Sequence, residues 1–210
     1  MATSFDLFGT LVAVARPADP ATAVADALRD RDVPVPDDWA AAYREPHVDV
    51  PAGAECSLGR HVAAALDSRD VDVAEPVAAA AVRDAFDRPV TVRDGARDAL
   101  AAAADRGAVG LLSNCSVPGL PERVLDRCGV GTDRFDAVVT SVGCGWRKPD
   151  PRAFDAVAAA LDVDSAELVH VGDDPDADGG VEAVGGRAVL LDESRSLPAV
   201  ARELRAEGEP

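Results

Sequence analysis

The chain has 210 residues, which is enough for one full domain with a smaller insert. Its 38 acidic side chains outnumber its 21 basic ones, and the formal net charge is -17, so a nucleic-acid or anionic-membrane partner is not expected, because both need clustered basic residues. No apolar run reaches membrane-spanning length, and no basic segment followed by an apolar core opens the chain. We therefore expect a cytoplasmic protein, a monomer or a homodimer, whose partner is a small molecule.

The chain begins with an apolar run at 3–8, interrupted by Asp6 and followed by Gly9 and Thr10. This pattern predicts a buried strand whose end exposes a carboxylate. From Asp94 onward, strand and helix patterns alternate. Strands are predicted at 108–113, 135–141, 168–171 and 187–191, and helices at 95–106, 122–128, 151–161, 176–184 and 198–205. Because single helices separate these strands, the sequence predicts a doubly wound, Rossmann-like α/β fold with a parallel sheet.

Residues 16–91 follow a different pattern. Helices are predicted at 21–31, 37–44, 58–68 and 75–86, joined by segments that contain Pro and Gly, and no strand is predicted among them. We interpret this stretch as a helical cap inserted after the first strand, which leaves 1–15 and 92–210 as the core. In open α/β sheets ligands bind at the carboxyl ends of the strands, where an insert can act as a lid.

The basic residues are unevenly chosen, because Lys148 is the only lysine and all the others are arginines. Lysine carries a compact charge on a flexible stem, whereas arginine carries a wide planar fork. A compact charge suits a cramped site that holds a carboxylate together with a small anion.

The acidic, lysine-poor composition also resembles that of halophilic proteins, in which high salt screens the repulsion between like charges.

Four segments that fall at successive strand ends form a recognisable series. They are residues 5–11 (FDLFGTL), 111–114 (LLSN), 145–151 (GWRKPDP) and 169–178 (VHVGDDPDAD). In this order and spacing the chain resembles the haloacid dehalogenase superfamily of hydrolases, helical-cap type, most of whose members are phosphatases. The core around these motifs accounts for about two thirds of the chain.

The resemblance implies a role for each motif residue. Asp6 is implied to be the nucleophile that forms an aspartyl intermediate, which splits a difficult hydrolysis into two easier steps. Ser113 and Asn114 are implied to hold the transferring group through the Ser hydroxyl and backbone N–H groups. Lys148 is implied to neutralise both Asp6 and the substrate anion. Thr10, beside the nucleophile, is a further candidate for binding the substrate.

The same resemblance implies a Mg²⁺ site. Asp173 would hold the ion together with Asp6 and the backbone carbonyl of Phe8, since Mg²⁺ prefers hard oxygen ligands and retains several waters. Asp178 would complete the metal site by orienting the bound waters. Asp174 and other acidic residues of this segment are typical of the start of a helix.

One position departs from the family's phosphatases, which usually carry a second Asp as the general acid two residues after the nucleophile. Here that residue is Phe8, which cannot transfer a proton. The family's true dehalogenases carry an aromatic residue there and work without metal, and in the insert Arg44 is a candidate for binding a substrate carboxylate, as in that branch. Substitute acids in the insert are Tyr43, Glu45 and His47.

We favour a Mg²⁺-dependent phosphatase, because the carboxylates of 169–178 would repel one another without a cation. The substrate expected is a small phosphorylated metabolite. Two alternatives stay open. One is a 2-haloacid dehalogenase that uses Asp6 without metal, and the other is a protein that binds a ligand or partner without turnover.

Overall fold

The computed structural model describes residues 1–15 and 17–206. Arg16, the predicted first residue of the insert, and residues 207–210 lie outside the described residues. In the part of the chain that is described, no helix is long and apolar enough to cross a membrane.

A five-stranded parallel sheet forms the centre of the molecule, in the order β5-β4-β1-β6-β7. Its strands are β1 (Ala2–Phe5), β4 (Val109–Ser113), β5 (Ala137–Thr140), β6 (Leu168–Gly172) and β7 (Arg187–Leu190). The chain builds outward from β1 on one side and then returns to build the other side, so β1 lies at the point where the strand order reverses. Ligands bind at the carboxyl edge of such a switch point. The parallel α/β fold predicted from the sequence is confirmed.

Side chains that alternate along the strands pack against helices on both faces of the sheet. On β6, for example, Val169 and Val171 join one apolar cluster while Leu168 joins the other. Both faces are covered, which is why these strands read as nearly continuous apolar runs. Burying a Leu, Val or Phe side chain contributes about 1.5–3 kcal/mol, so the two clusters anchor the sheet.

Ten α-helices occur in the described residues. They are α1 (Pro20–Arg29), α2 (Trp39–Ala42), α3 (Leu58–Asp67), α4 (Glu75–Phe86), α5 (Ala96–Ala104), α6 (Leu120–Arg127), α7 (Ser141–Cys144), α8 (Pro151–Ala160), α9 (Pro175–Asp178) and α10 (Leu197–Ala206). Short 3-10 turns follow at Thr132–Arg134, Ser165–Glu167 and Gly179–Val184. The last of these corrects the predicted helix 176–184, because Gly179 and Gly180 disfavour a continuous α-helix there.

The insert contains the four predicted helices, α1 to α4, but the prediction that it holds no strand is wrong. Val90–Val92 forms β3, which pairs antiparallel with β2 at Val12–Val14. The two strands are only three residues long and are separated by the whole insert. Apolar patterning over so few residues does not distinguish a strand from a loop. The division into a core and a cap domain remains a prediction.

Candidate active site

The carboxyl ends of neighbouring strands bring the motif residues to one pocket. Asp6 follows β1, Asn114 follows β4 and Asp173 follows β6, while Lys148 lies in the loop between α7 and α8. Together with Phe8, Arg147, Asp174, Ala177 and Asp178 they line a cavity of about 330 Å³. Because β4, β1 and β6 are adjacent in the sheet, residues far apart in the sequence converge here.

Lys148 lies at the floor of this pocket, and its side chain is only 1% exposed. Its Nζ donates to Asp6 Oδ1 at 2.9 Å and to Asp178 Oδ1 at 2.6 Å. The Asn114 side chain orients the Lys148 backbone, because its Nδ2 donates to the Lys148 carbonyl at 2.9 Å and its Oδ1 accepts from the Lys148 amide at 2.8 Å. Asn114 therefore has a positioning contact that the sequence did not predict.

Asp178 is held by a buried network. His170 Nε2 lies 3.0 Å from Asp178 Oδ1, and the Asp174 amide donates to Asp178 Oδ2 at 2.9 Å. On the other side of the ring, His170 Nδ1 lies 2.7 Å from Ser4 Oγ. An ionised carboxylate can only accept, so Nε2 carries the proton and Nδ1 accepts from the Ser4 hydroxyl. His170 is thus a buried partner of Asp178, which is itself the partner of Lys148.

The two carboxylates bound to Lys148 have opposite pKa shifts. Burial raises the pKa of Asp6 to about 6, with Asp178 adding to the rise and Lys148 opposing it. Burial also acts to raise the pKa of Asp178, but the hydrogen bond from His170 and the charge of Lys148 outweigh it and hold that pKa well below its usual range. Burial and Lys148 lower the pKa of His170 to about 4, so the ring is neutral at pH 7.

Asp173 also lines the pocket. Its Oδ1 accepts from Thr10 Oγ1 at 2.7 Å, and Thr10 is fully buried. Thr10 therefore positions this carboxylate, and its contact with the substrate stays a prediction. The turn after β1 must be glycine, because Gly9 has a φ of +102° and a Cβ there would lie 2.3 Å from Asp173 Oδ2.

Ser113 stands at the end of β4, as predicted, and its hydroxyl is fully buried without a hydrogen-bond partner among the described residues. A buried unpartnered hydroxyl costs about 1–3 kcal/mol. Such a group is a donor that a ligand oxygen could satisfy.

The insert residues predicted near the chemistry are not brought to the pocket. Arg44 is exposed and donates to the carbonyl of Ala40, in its own segment, at 2.9 Å. Among the possible substitute acids, Glu45 pairs with Arg69, and His47 Nε2 lies 2.7 Å from the Ala42 carbonyl. Tyr43 packs beside Trp39 and His61. None of these side chains lines the 330 Å³ cavity.

A contact between insert and core that the sequence did not predict lies at the rim of the pocket. Glu55, whose side chain is 4% exposed, accepts from Arg147 Nη1 at 2.7 Å and from Ser141 Oγ at 2.6 Å through one oxygen, and from Ser116 Oγ at 3.1 Å through the other. Backbone pairing between Ala54 and Trp146 runs alongside. No sequence motif surrounds Glu55, so only its burial identifies it.

The oxygen ligands present suit a Mg²⁺ ion. In the described chain no three His, Cys, Asp or Glu side chains converge into a metal cluster. Mg²⁺ does not need one, since it is usually bound through one or two carboxylates and keeps several waters. Asp6 and Asp173 both line the cavity and supply carboxylates of this kind.

Comparison with known proteins identifies the family. A sequence profile of haloacid dehalogenase-like hydrolases matches residues 2–181. The chain therefore belongs to the haloacid dehalogenase-like hydrolase family, which confirms the resemblance that the four motifs carry.

Curated relatives share part of the sequence. The chain is 38% identical over 115 residues to phosphatase MT3486 of Mycobacterium tuberculosis, covering 54% of this chain and 52% of the relative. It is 33% identical over 139 residues to human haloacid dehalogenase-like hydrolase domain-containing protein 3, covering 64% of this chain and 54% of the relative. The chain thus spans about half the length of the curated relatives it matches.

Solved structures share the fold over nearly the whole chain. A 2-haloacid dehalogenase from Pseudomonas syringae pv. Tomato superposes with a TM-score of 0.67 at 24% identity, covering 98% of both chains. A phosphatase of the family from Thermococcus onnurineus superposes with a TM-score of 0.58 at 19% identity, covering 99% of this chain and 97% of the other. At such identities the likeness concerns the fold alone.

Proposed function

We propose that this chain is a Mg²⁺-dependent phosphatase that hydrolyses a small phosphorylated metabolite through an aspartyl-phosphate intermediate on Asp6. It works without the second aspartate that the family's phosphatases usually carry. The observation that carries the proposal is the charge balance of the 330 Å³ pocket.

Four carboxylates line that pocket, those of Asp6, Asp173, Asp174 and Asp178. Against them stand Lys148, shared between Asp6 and Asp178, and Arg147, which is paired with Glu55 of the insert. Carboxylates that line one small cavity repel one another unless a cation or proton lies between them. The excess of negative charge supports a site for a divalent cation.

Asp6, Asp173 and the carbonyl of Phe8 would hold the ion. When bound, Mg²⁺ supplies positive charge to the oxygens of the transferring phosphoryl group. In this proposal the predicted role of Asp178 in orienting metal-bound waters adds to its observed contacts with Lys148 and His170.

The chain's own residues would carry the remaining steps. A carboxylate oxygen of Asp6 attacks phosphorus and the bond to the leaving oxygen breaks, and water then hydrolyses the aspartyl phosphate to release phosphate. Lys148 neutralises Asp6 and the transferring anion from its buried position, and the hydroxyl of Ser113 and backbone N–H groups at the end of β4 bind the oxygens of that anion. At Phe8 no proton donor exists. A positioned acid is worth about 10²–10⁴-fold, so rates on poor leaving groups should be low.

The sequence relationship to a protein named as a phosphatase in M. tuberculosis supports this choice. A second candidate, hydrolytic dehalogenation of a 2-haloacid, is favoured by the aromatic side chain of Phe8, since halide leaves without protonation. The position of Arg44, exposed and bound to its own segment, weighs against it because nothing at that site would then bind the substrate carboxylate from the insert.

The test is a panel of phosphomonoesters and 2-haloacids, assayed with Mg²⁺ and with excess chelator. We expect phosphate release that requires Mg²⁺ and disappears in Asp6→Asn protein, with a phosphorylated Asp6 peptide recovered after acid quenching of the wild type. Halide release in chelator would establish the dehalogenase instead. Ligand binding without turnover of any compound would establish the non-catalytic alternative.

The missing acid has its own test. Phe8→Asp should raise turnover of alkyl phosphates relative to aryl phosphates, by less than the roughly 10²–10⁴-fold worth of an evolved acid. Equal wild-type efficiency on alkyl and aryl phosphates would mean that another residue already donates the proton.

A further inference from the structure

A second cavity, of about 640 Å³, adjoins the pocket of Asp6. The two cavities share Phe8, Asn114 and Asp173, so a molecule whose reacting group lies beside Asp6 would extend into the larger space. Core and insert both contribute walls, for instance Val117 from the core and Leu58 from the insert. A volume of this size accommodates a small organic molecule.

The walls of the larger cavity are mainly apolar. Among its described lining residues the only charged side chain is Asp173, which stands at the boundary with the Asp6 pocket, and no Arg, Lys or His is present. The Ser116 hydroxyl is already bound to Glu55 and to Arg147, and the Arg147 guanidinium is itself paired with Glu55. A carboxylate placed here would lose its hydration without gaining an unpaired cation, and it would lie near Asp173, so an anionic group is disfavoured.

Phe8 gives an independent indication. Its half-buried side chain lines both cavities and packs against the apolar core, so it stands where a bound molecule passes from one space to the other. An aromatic ring at that point packs well against another ring. Phe8 cannot protonate a leaving oxygen. Phosphate esters whose leaving group departs without a proton, such as a phenolate, should therefore be hydrolysed most efficiently.

We propose that the larger cavity holds the leaving group of the substrate, and that this group is an uncharged, apolar aryl group. The inference rests on the proposed phosphatase function and narrows it to aryl phosphates. Asp6 attacks phosphorus, the bond from phosphorus to the aryl oxygen breaks, and the oxygen departs with the bonding pair as a phenolate that takes a proton from water. Water then cleaves the aspartyl phosphate, and phosphate leaves.

The test compares phenyl phosphate and 1-naphthyl phosphate with 4-carboxyphenyl phosphate, all with Mg²⁺. The carboxylate does not make the phenolate a poorer leaving group. A lower kcat/KM for the carboxylated ester would therefore reflect its fit to the cavity and not its chemical reactivity. We expect kcat/KM for the two uncharged esters to exceed that for the carboxylated one by about 10-fold or more, which corresponds to about 1.4 kcal/mol. Equal or higher efficiency for the carboxylated ester overturns the inference.

Two lysine variants sharpen this test. Ala15 is an exposed lining residue, so Ala15→Lys should bring a cation to the cavity and reduce the preference several-fold. Ala101→Lys is the matched control, because Ala101 is exposed on α5 and lines neither cavity. Arg16→Ala is measured alongside, since Arg16 falls between two lining residues in the chain and outside the described residues. A marked rise of the preference in Arg16→Ala would show that Arg16 supplies a cation to the cavity and would overturn the inference that its walls disfavour an anion.

A binding measurement separates the two proposals. In Asp6→Asn protein, benzylphosphonate should bind about 10-fold more tightly than 4-carboxybenzylphosphonate by calorimetry. This preference without any turnover in the wild type would retain the cavity inference and reject the phosphatase. Turnover of phosphate esters without the preference would retain the phosphatase and reject the cavity inference.

Discussion

Arg147 and Lys148 are neighbours in the chain, yet they lie in two contrasting regions. The floor, defined as Asp6, Lys148, His170 and Asp178, is almost entirely shielded from solvent, and the Lys148 side chain is 1% exposed. The rim, defined as Glu55, Ser116, Ser141 and Arg147, is partly open, and the Arg147 side chain is 45% exposed. At the floor one ammonium serves two carboxylates, whereas at the rim one carboxylate accepts from an arginine and two hydroxyls.

The difference shows why the two cations are not interchangeable. Removing one partner of a buried pair leaves an uncompensated charge, which costs about 3–5 kcal/mol. At the rim the Arg147 end of the pair is open to water, which screens its charge, while the Glu55 end is buried and keeps two hydroxyl donors besides the arginine. The compact ammonium fits between two carboxylates, while the planar fork of arginine suits the wider rim.

The largest effect is expected from exchanging the cations. Lys148→Arg should lower kcat by about 10²-fold or more, because the guanidinium cannot occupy the narrow position between Asp6 and Asp178. The matched variant Arg147→Lys should change kcat/KM by no more than about fivefold. Steady-state kinetics on an aryl phosphate measures both. If kcat/KM fell by a comparable factor in both variants, the contrast between floor and rim would be contradicted.

A pH experiment tests the floor without turnover. Asp6 has a pKa raised from 3.8 to about 6, so the unfolded chain loses this proton first and the contribution of Asp6 to stability falls as pH rises through this window. His170 has a pKa lowered from 6.5 to about 4, so the unfolded chain binds its proton first and stability is lost as pH falls from 6.5 toward 4. The two contributions have opposite signs.

Asp6→Asn should therefore make the free energy of unfolding rise more steeply between pH 4 and 6 than in the wild type, and His170→Gln should flatten it. Each change should be on the order of 1–3 kcal/mol across the window, since one pKa unit corresponds to about 1.4 kcal/mol. Urea unfolding at several pH values gives the slopes. Parallel curves for the three proteins would show that neither group titrates abnormally in the fold.

A smaller effect is expected at the rim. In Glu55→Gln the new amide faces the hydroxyl and guanidinium donors that the carboxylate accepted, at a cost of about 1–2 kcal/mol. Hydrogen exchange should quicken at the amides of Glu55 and Arg147, which bond across to Gly145 and Gly53. Glu75→Gln, in which an exposed acid bonded to Ser57 is changed, is the control and should leave these amides unaffected. Unchanged exchange in Glu55→Gln would show that backbone pairing alone holds the insert.

The last prediction concerns the dependence of thermal stability on salt, to which each charged surface residue contributes only a small amount. With a net charge of -17, repulsion should be stronger in dilute salt, where the Debye length is long. We expect the melting temperature to be higher in about 3 M KCl than in about 0.1 M KCl. The Lys148 contacts are buried and should be screened less than the Arg147 contact. An unchanged melting temperature would count against a halophilic adaptation.

The core could be predicted because its signals are local. Each buried strand is an apolar run that ends in a turn, and a motif residue such as Asp6 or Asp173 follows directly. Chain order then implied a parallel sheet, whose carboxyl edge collects those residues. The short β2–β3 pair was missed because its two strands are far apart in the sequence and too short to show a period.

Contacts between side chains could not be read in the same way. Asp178 lies in a motif that resembles a metal site, and its bonds to Lys148 and His170 depend on how β6 approaches the loop after α7. Glu55 lies in a segment without a motif, and its burial depends on how the insert folds back. Arg44 resembled a substrate ligand by residue type alone, and in the structure it lies in the turn after α2, where it is exposed and bonded to Ala40.

The β2–β3 pair brings the two ends of the insert together. The chain leaves the core through Val12–Val14 and returns through Val90–Val92, and the hydrogen-bonded register pairs Ala13 with Thr91. The points where the chain leaves and re-enters the core are therefore adjacent, and both chain connections between core and insert run through this pair of strands. Segments inserted between adjacent points are readily exchanged without disturbing the host domain. An insert with different lining residues could therefore replace this one at the β2–β3 pair, while Asp6, Lys148 and Asp173 keep their positions in the core.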